Sequence, residues 1–335
     1  MAIDIDGLAA WAEEITPKPV WSGDVMIIDG KNLIYRLAYR ETTGERAAAV
    51  FLEKLAFLRE WYKPSRLIVG WEGDGRNWRF DHLPDYKGHR DRTTELQSHV
   101  DEAVKILPGL LANTIFDQAT TTDAEGDDVF GTLAASFEAQ GLNVSIYSMD
   151  QDLWQLATDR ITIIVPINGP GNPDLAVTAP EAERRVGVPP NLIPDLKGFQ
   201  GDTGDNIPGV PGIGKKIALA LITKHGTFAA ALALACDSTL DRSSAAKGEP
   251  GYESKAAYSR RIKTTLGVTP KKREDIRANA QLARNSFEAG KILRDIDVRI
   301  LPRVPTYEKG LRDRLIRMDA PRYIIENVGS VVWLG

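Results

Sequence analysis

Carboxylates dominate the chemistry open to this chain. Glu125-Gly-Asp-Asp128 is followed by Asp150-Gln-Asp152 and then by Asp202-Thr-Gly-Asp205. Carboxylate oxygens are hard ligands suited to Mg²⁺ or Mn²⁺, and so many like charges repel one another unless cations sit among them. A single such pair reads most simply as helix capping or turn formation, which Asp favours; the whole set does not. Tyr86-Lys87-Gly88-His89-Arg90 sets an aromatic ring among cations, a composition suited to single-stranded nucleic acid or phosphate, with a solvated charged loop as the plain alternative. Gly209 to Lys215 has the spacing of a phosphate-binding P-loop, but Lys216 stands where that motif needs Ser or Thr and no strand precedes it. A helix–hairpin–helix turn is the better reading: Gly212 and Gly214 would let backbone N–H groups approach a DNA phosphate at a helix N-terminus. An ordinary Gly-rich connection is the alternative. His82, His89, His99 and His225 form no metal-ligand pair at helical spacing, and there is no Gly-x-Ser-x-Gly, so zinc–histidine and serine-hydrolase chemistry have little support.

Such residues need a scaffold to converge. Val25 to Asp29 is a short apolar run ending in aspartate, and Lys31 to Tyr39 reads as the helix that follows. Leu67 to Trp71 runs likewise into Glu72, and Val144 to Ser148 into Asp150 and Asp152. Helical patterns over Arg46 to Trp61 and Glu125 to Glu138 alternate with these strands, which predicts an α/β fold with a mostly parallel sheet and crossover helices. Ligands bind beyond the carboxyl ends of such strands, so the strand-end acids should meet at one edge. Residues 76 to 109 break the alternation, with Arg76, Arg79, Lys87, Arg90 and Arg92 among Trp78, Phe80 and Tyr86, and read as an insertion above the sheet. From Asp195 the chain turns Gly-rich and then helical, a second unit, in which Lys255 to Arg273 holds seven basic residues and no acidic one.

The composition is that of a folded chain: 335 residues, 43% hydrophobic and 26% charged. One cysteine, Cys236, excludes an internal disulfide and a Cys-rich metal site and points to a reducing compartment. No apolar run approaches the length of a membrane span and the N-terminus has no basic signal-peptide head, so no membrane and a cytoplasmic setting are expected. With a net charge of −4, any polyanion must be held by local basic patches or by metals.

In this order the motifs resemble the flap endonuclease and 5′–3′ exonuclease family, which includes phage exonucleases and the N-terminal nuclease of bacterial DNA polymerase I. The resemblance rests on Ile28-Asp-Gly30 with Asn32 and Arg36, Tyr86-Lys87 with Arg90, Glu125-Gly-Asp-Asp128, Ser148-Met-Asp-Gln-Asp152, and the run from Gly201 to Gly214. It covers roughly residues 24 to 235. It implies a PIN-like catalytic domain over 24–190 after an N-terminal extension over 1–23, a helical arch at about 80–112, and a helical DNA-binding region over 191–335 built on a helix–three-turn–helix. Position by position, Asp29, Glu125, Asp127 and Asp150 resemble the inner ligands of two or more Mg²⁺ ions, replaceable by Mn²⁺, while Asp128, Asp152, Asp202 and Asp205 extend the acidic site. Lys87 and Arg90 resemble arch residues that steer the scissile phosphate, and Arg36, Arg79, Tyr86 and Lys197 are expected on the DNA side. The turn from Val210 to Lys216, with Gly212, Gly214, Lys215 and Lys216, resembles the duplex-binding element, where family members also hold K⁺. One departure lies seven residues before Arg79, where the family commonly has Asp and this chain has Glu72; the ungapped register puts Glu72 rather than Asp74 at the metals.

The resemblance implies hydrolysis of DNA phosphodiesters at 5′ ends, nicks or 5′ flaps, with RNA–DNA hybrids as a further substrate class, by a monomer that stands alone without a following polymerase. A junction-binding protein without turnover and a PIN-like ribonuclease are the alternatives. The intact acid set speaks against the first, and the clamp and arch motifs against the second.

Overall fold

The computed structural model describes residues 23–90, 93–167 and 174–335. The expected N-terminal extension therefore lies outside the described residues except for Gly23. Seven strands form one sheet in the order β6-β5-β4-β1-β2-β3-β7, where β1 is Val25–Asp29, β2 Arg66–Gly70, β3 Asp117–Thr120, β4 Val144–Tyr147, β5 Ile161–Val165, β6 Leu175–Val177 and β7 Arg299–Ile300. β1 to β5 pair in parallel, and the edge strands β6 and β7 are antiparallel. The expected mostly parallel sheet is thus present.

β1 is buried along its whole length because helices cover both faces of the sheet. Met26 and Ile28 enter one core with the helices Gly30–Ala38, Gly44–Tyr62 and Glu95–Leu111; Val25 and Ile27 enter the other, with Gly126–Ala139. The strand order reverses at β1: β2 lies on one side and β4 on the other. Asp29 is level with Gly70, and Ile28 with Tyr147, so these strands end together and leave a crevice between β1 and β4.

Two expected boundaries move. The segment expected as an arch over 80–112 divides: Trp78–Asp81 and the turns up to Arg90 stand over the strand ends, whereas Glu95–Leu111 is a core helix that buries Val100, Ala103, Leu107, Leu110 and Leu111. The apolar stripe at helical spacing decides its place; the basic and aromatic residues ahead of it do not. The expected helical region 191–335 also loses its last part. Helices between Ile193 and Ala289 build a separate core, but β7 then adds to β3, and Leu311, Leu315, Met318, Ile324 and Val328 fill the core beneath the sheet. Leu311, Leu315 and Met318 recur at the i, i+4, i+7 spacing of one helix face, which that core completes. The apolar run Phe228–Cys236 is a short helix of the separate core, and among the described residues no single helix is long and apolar enough to cross a membrane.

Candidate active site

β1 delivers Asp29 to the crevice. Its carboxylate accepts the N–H of Asn32 at 2.9 Å, capping the Gly30–Ala38 helix, and the hydroxyl of Ser148 at 2.7 Å. Ser148 also accepts the Asp150 N–H at 3.0 Å, so one serine after β4 ties together the acids on the two sides of the crevice. Glu125 is the N-cap of Gly126–Ala139 and Asp127 lies in its first turn, where the helix dipole favours negative charge. Asp29, Glu125, Asp127 and Asp150 line a cavity of about 780 Å³ over the strand ends, together with Glu72, Tyr86, Lys87 and Arg90.

The charges in this cavity are unevenly balanced. Burial raises the Asp29 carboxyl to about 6, and repulsion from Asp150 and Glu72 adds to it. Burial, then Asp150, pushes Asp127 well above the ordinary range. Burial acts on Glu125 in the same direction, but Lys87, whose Nζ lies 2.7 Å from Oε1, and Arg79 hold it below its usual value. Strain therefore falls on Asp29 and Asp127, with Asp150 as common neighbour. Among the described residues no group of three His, Cys, Asp or Glu side chains is already closed around one metal position. The donors nevertheless fit a hard divalent cation in kind, and a cation among them would offset the burial and the Asp150 repulsion that raise Asp29 and Asp127.

The outer acids have protein counter-ions instead. The Lys197 ammonium bridges Asp152 at 2.6 Å and Asp202 at 2.7 Å. At 6% exposure Lys197 is an internal counter-ion, not the DNA contact expected of it. Asp205 accepts from Arg90 at 2.6 Å and from the Tyr86 hydroxyl at 2.8 Å; that hydroxyl also reaches Glu125 at 3.0 Å. Tyr86 is 3% exposed and packed with Leu83, Ile207 and Ala289, so it offers no stacking platform. Burial and the flanking Glu125 keep its phenol protonated by raising its pKa.

Asp128 and Arg79 depart furthest from their expected roles. Arg79 grips Asp128 through Nη1 at 2.6 Å and Nη2 at 2.9 Å, and donates to the carbonyls of Ala289 and Lys291. Asp128 also accepts from Trp78 Nε1 and the Leu293 N–H. A fully buried carboxylate with so many donors has no lone pair to offer a metal, and a buried guanidinium cannot meet DNA. Residue type and spacing put both near the site, but the pairing that consumes them joins positions remote in sequence.

Lys87 does face the cavity. Its φ of 54° is in the left-handed region, which a non-glycine residue adopts at a cost. Its N–H donates to the Asp205 carbonyl at 2.9 Å, which holds it there. Glu72 stands on the rim with its carboxylate 2.5 Å from Lys31 Nζ, whereas Asp74 is absent from this lining. Arg36 is half-buried beside Tyr147, to which it hydrogen-bonds, outside the lining. Asn32 and Ser148 appear among the motif residues, but their bracing role was not legible: a short polar residue beside an acid has no distinctive signature in sequence.

The second unit presents the expected turn. Gly212 has φ 75°, open to glycine at no steric cost, and Gly214 caps Lys215–His225, whose first turn carries no acid. Lys215 and Lys216 are exposed there, and Lys272 brings its ammonium against Gly212. Replacing both Lys215 and Lys216 by Ala is expected to weaken duplex binding and flatten the slope of log affinity against log salt by about 1 to 2. Titrations at several salt concentrations check this; an unchanged slope removes the pair from the interface.

Fold and site together define a parallel-sheet protein with a hard-ligand cavity at its switch point and a basic turn on a helical unit. Two family descriptions match in tandem: 5′-3′ exonuclease, N-terminal resolvase-like domain, over residues 24–185, and 5′-3′ exonuclease, C-terminal SAM fold, over residues 188–303. The chain belongs to the 5′-3′ exonuclease family. It is 34% identical over 220 residues to DNA polymerase I of Bacillus caldotenax, a match covering 62% of this chain and 24% of the polymerase. A 5′-3′ exonuclease of Aquifex aeolicus is 29% identical over 208 residues, 60% of this chain and 69% of that protein. The chain thus spans about a quarter of the length of the polymerases it matches. Among solved structures, a T5 5′-exonuclease with bound divalent metal ions (zinc) has TM-score 0.61 and 20% identity, covering 90% of this chain and 96% of that one. A bacteriophage T5 D15 flap endonuclease complexed with DNA and metal ions has TM-score 0.58 and 18% identity, covering 91% and 98%.

Proposed function

We propose that the chain is a divalent-metal-dependent 5′ nuclease that hydrolyses DNA phosphodiesters at 5′ ends, nicks and 5′ flaps, with RNA–DNA hybrids as a second substrate class. The observation that carries this reading is the trio Asp29, Asp127 and Asp150 at the switch point, two of them raised in pKa, facing Lys87 across one cavity. Family membership and the DNA and metal ions bound to a protein of this fold support it.

Asp29, Asp127 and Asp150 would hold Mg²⁺, with Mn²⁺ as substitute, and Glu125 would join them on exchanging its Lys87 partner. A metal held by these residues would supply a water of lowered pKa and positive charge for the attacking and leaving oxygens. The chain's own residues do the positioning. Ser148 fixes Asp29 against Asp150, Lys197 keeps Asp152 and Asp202 from adding further repulsion, and Lys87 and Arg90 supply positive charge where a phosphate would gain negative charge. The duplex would rest on the Val210 to Lys216 turn. K⁺ at that turn, a monomeric state and a cytoplasmic setting complete the reading; Lys272 already brings a protein cation to the turn.

Labelled flap, nicked, blunt and single-stranded DNA, incubated with Mg²⁺ or Ca²⁺, test the proposal. Cleavage of flap and nick in Mg²⁺, with binding but little cleavage in Ca²⁺, is expected. Equal cutting of single-stranded RNA would favour a ribonuclease, and binding without cutting in Mg²⁺ a junction-binding protein. Lys87→Ala is expected to lower single-turnover cleavage by about 100-fold, as loss of a preorganised charge-stabilising donor does, with little change in duplex affinity. Equal losses in both would make Lys87 a binding residue. Glu72→Gln is expected to cost about 10- to 100-fold in single-turnover cleavage, the scale for a residue that supports a metal site. Asp74→Asn, outside this lining, should leave the single-turnover rate of bound substrate within about twofold. The reverse ranking would move the register by two residues.

A further inference from the structure

A second cavity of about 260 Å³ adjoins the first. Lys31, Glu72 and Asp101 line both, so the two share a wall at the Lys31–Glu72 pair. Trp71, Val100, Val104, Pro108 and Leu301 give it an apolar wall beside the charged Lys31, Glu72, Asp74 and Asp101, and the exposed Arg299 of β7 also lines it. It lies beyond the carboxyl ends of β2 and β3, the first and second strands on that side of β1, so about 5 to 10 Å along the sheet edge by strand spacing. The first nucleotides of a single strand leaving the scissile phosphate cover that reach. Charge decides which part of a nucleotide enters. Asp74 and Asp101 on the lining disfavour a phosphate inside, whereas a neutral planar base suits the apolar walls and can donate exocyclic N–H groups to a carboxylate. The phosphate would then stay outside, on the exposed Arg299.

Resting on the nuclease reading above, we propose that this side cavity is a nucleobase subsite for the 5′ single strand: it takes a base of the flap, on the 5′ side of the scissile phosphate, with Arg299 on the adjoining phosphate. The subsite would anchor the displaced strand while the duplex rests on the helical unit.

The test uses the whole chain and flap DNA carrying 2-aminopurine at each of the first flap positions in turn. With Ca²⁺ in place of Mg²⁺, binding is read without cleavage, so this arm does not depend on catalysis. A saturable change in fluorescence is expected at one position in wild type, lost in Val104→Trp, which fills the cavity, and weakened in Arg299→Glu. The second arm measures KM in Mg²⁺. An abasic residue at that position should raise wild-type KM about tenfold, within the range of one stacked base. In Val104→Trp the normal flap should show the raised KM with no further abasic effect, and in Arg299→Glu a partly raised KM with a smaller abasic effect, while cleavage at a nick without a flap stays unchanged in both. Arg299→Glu alters an exposed strand residue and decides the matter where Val104→Trp fails to fold. Fluorescence that changes at no flap position, or an abasic penalty as large in Arg299→Glu as in wild type, overturns the subsite. Absence of cleavage at the nick in wild type falls on the nuclease reading, and the Ca²⁺ arm still decides the pocket.

Discussion

In Asp127→Asn and Asp150→Asn proteins, Mg²⁺-driven cleavage is expected to fall by well over 100-fold, beyond the 10- to 100-fold typical of residues that merely support a metal ligand. Flap-DNA binding should persist, because the exposed turn at Lys215 and Lys216 lies on a different unit. Stability should move the opposite way. Asp29 is buried and Asp127 half-buried beside Asp150, and both are raised above their ordinary range, so their ionised forms are disfavoured in the folded, metal-free state. For Asp29 the sign follows from linkage: with its folded pKa raised to about 6, its contribution is fully present below the ordinary value of 3.8 and is lost as pH rises toward 6. Asp29→Asn removes that loss. In EDTA its melting temperature should match wild type near pH 4 and exceed it increasingly up to about pH 7, while Mg²⁺ should raise the wild-type melting temperature more than the variant's. Near-wild-type turnover in Asp127→Asn or Asp150→Asn would reject the metal assignment, and a variant less stable than wild type in EDTA at pH 7 would reject the electrostatic account of Asp29.

The sequence disclosed the frame of the site more fully than its wiring. Apolar runs ending in acids gave β1, β2 and β4, because a parallel strand covered on both faces must be apolar throughout and must stop where it meets the ligand edge. The convergence of Asp29, Glu125, Asp127 and Asp150 follows from that rule, and the cavity contains all four. The rule is silent on which charges neutralise one another. Lys197, Arg79 and Tyr86 are types that meet DNA when exposed, yet here they satisfy Asp152, Asp202, Asp128, Glu125 and Asp205 inside the protein. Exposure is set by contacts between segments far apart in sequence, such as Arg79 with the carbonyls of Ala289 and Lys291. The same holds for the last stretch of chain. Leu311 and Leu315 mark a helix face but not its destination, which β7 fixes by pairing with β3.

Arg79→Ala is expected to be the most destabilising single change near the site. Arg79 is 2% exposed and Asp128 fully buried, and their two-fold grip is supplemented by the carbonyls of Ala289 and Lys291. Removing one partner of a buried pair leaves the other charge uncompensated, at a cost of about 3–5 kcal/mol. The total stability of a folded chain is typically only about 5–15 kcal/mol, so a fall in melting temperature on the order of 10 °C is expected. The damage should reach the site through Gly126–Ala139, the helix that carries Asp127 and Asp128 in its first turn and has Glu125 as its N-cap. Arg79→Lys keeps one charge but not the planar fork, and should lie between wild type and Arg79→Ala. The double variant Arg79→Ala/Asp128→Leu separates this account from a lost DNA contact. Deleting both charges should recover part of the stability that Arg79→Ala alone removes, because no buried carboxylate is then left unpaired. Thermal and urea unfolding of the four proteins measure this. A normal melting temperature for Arg79→Ala together with weakened flap binding would return Arg79 to the DNA interface.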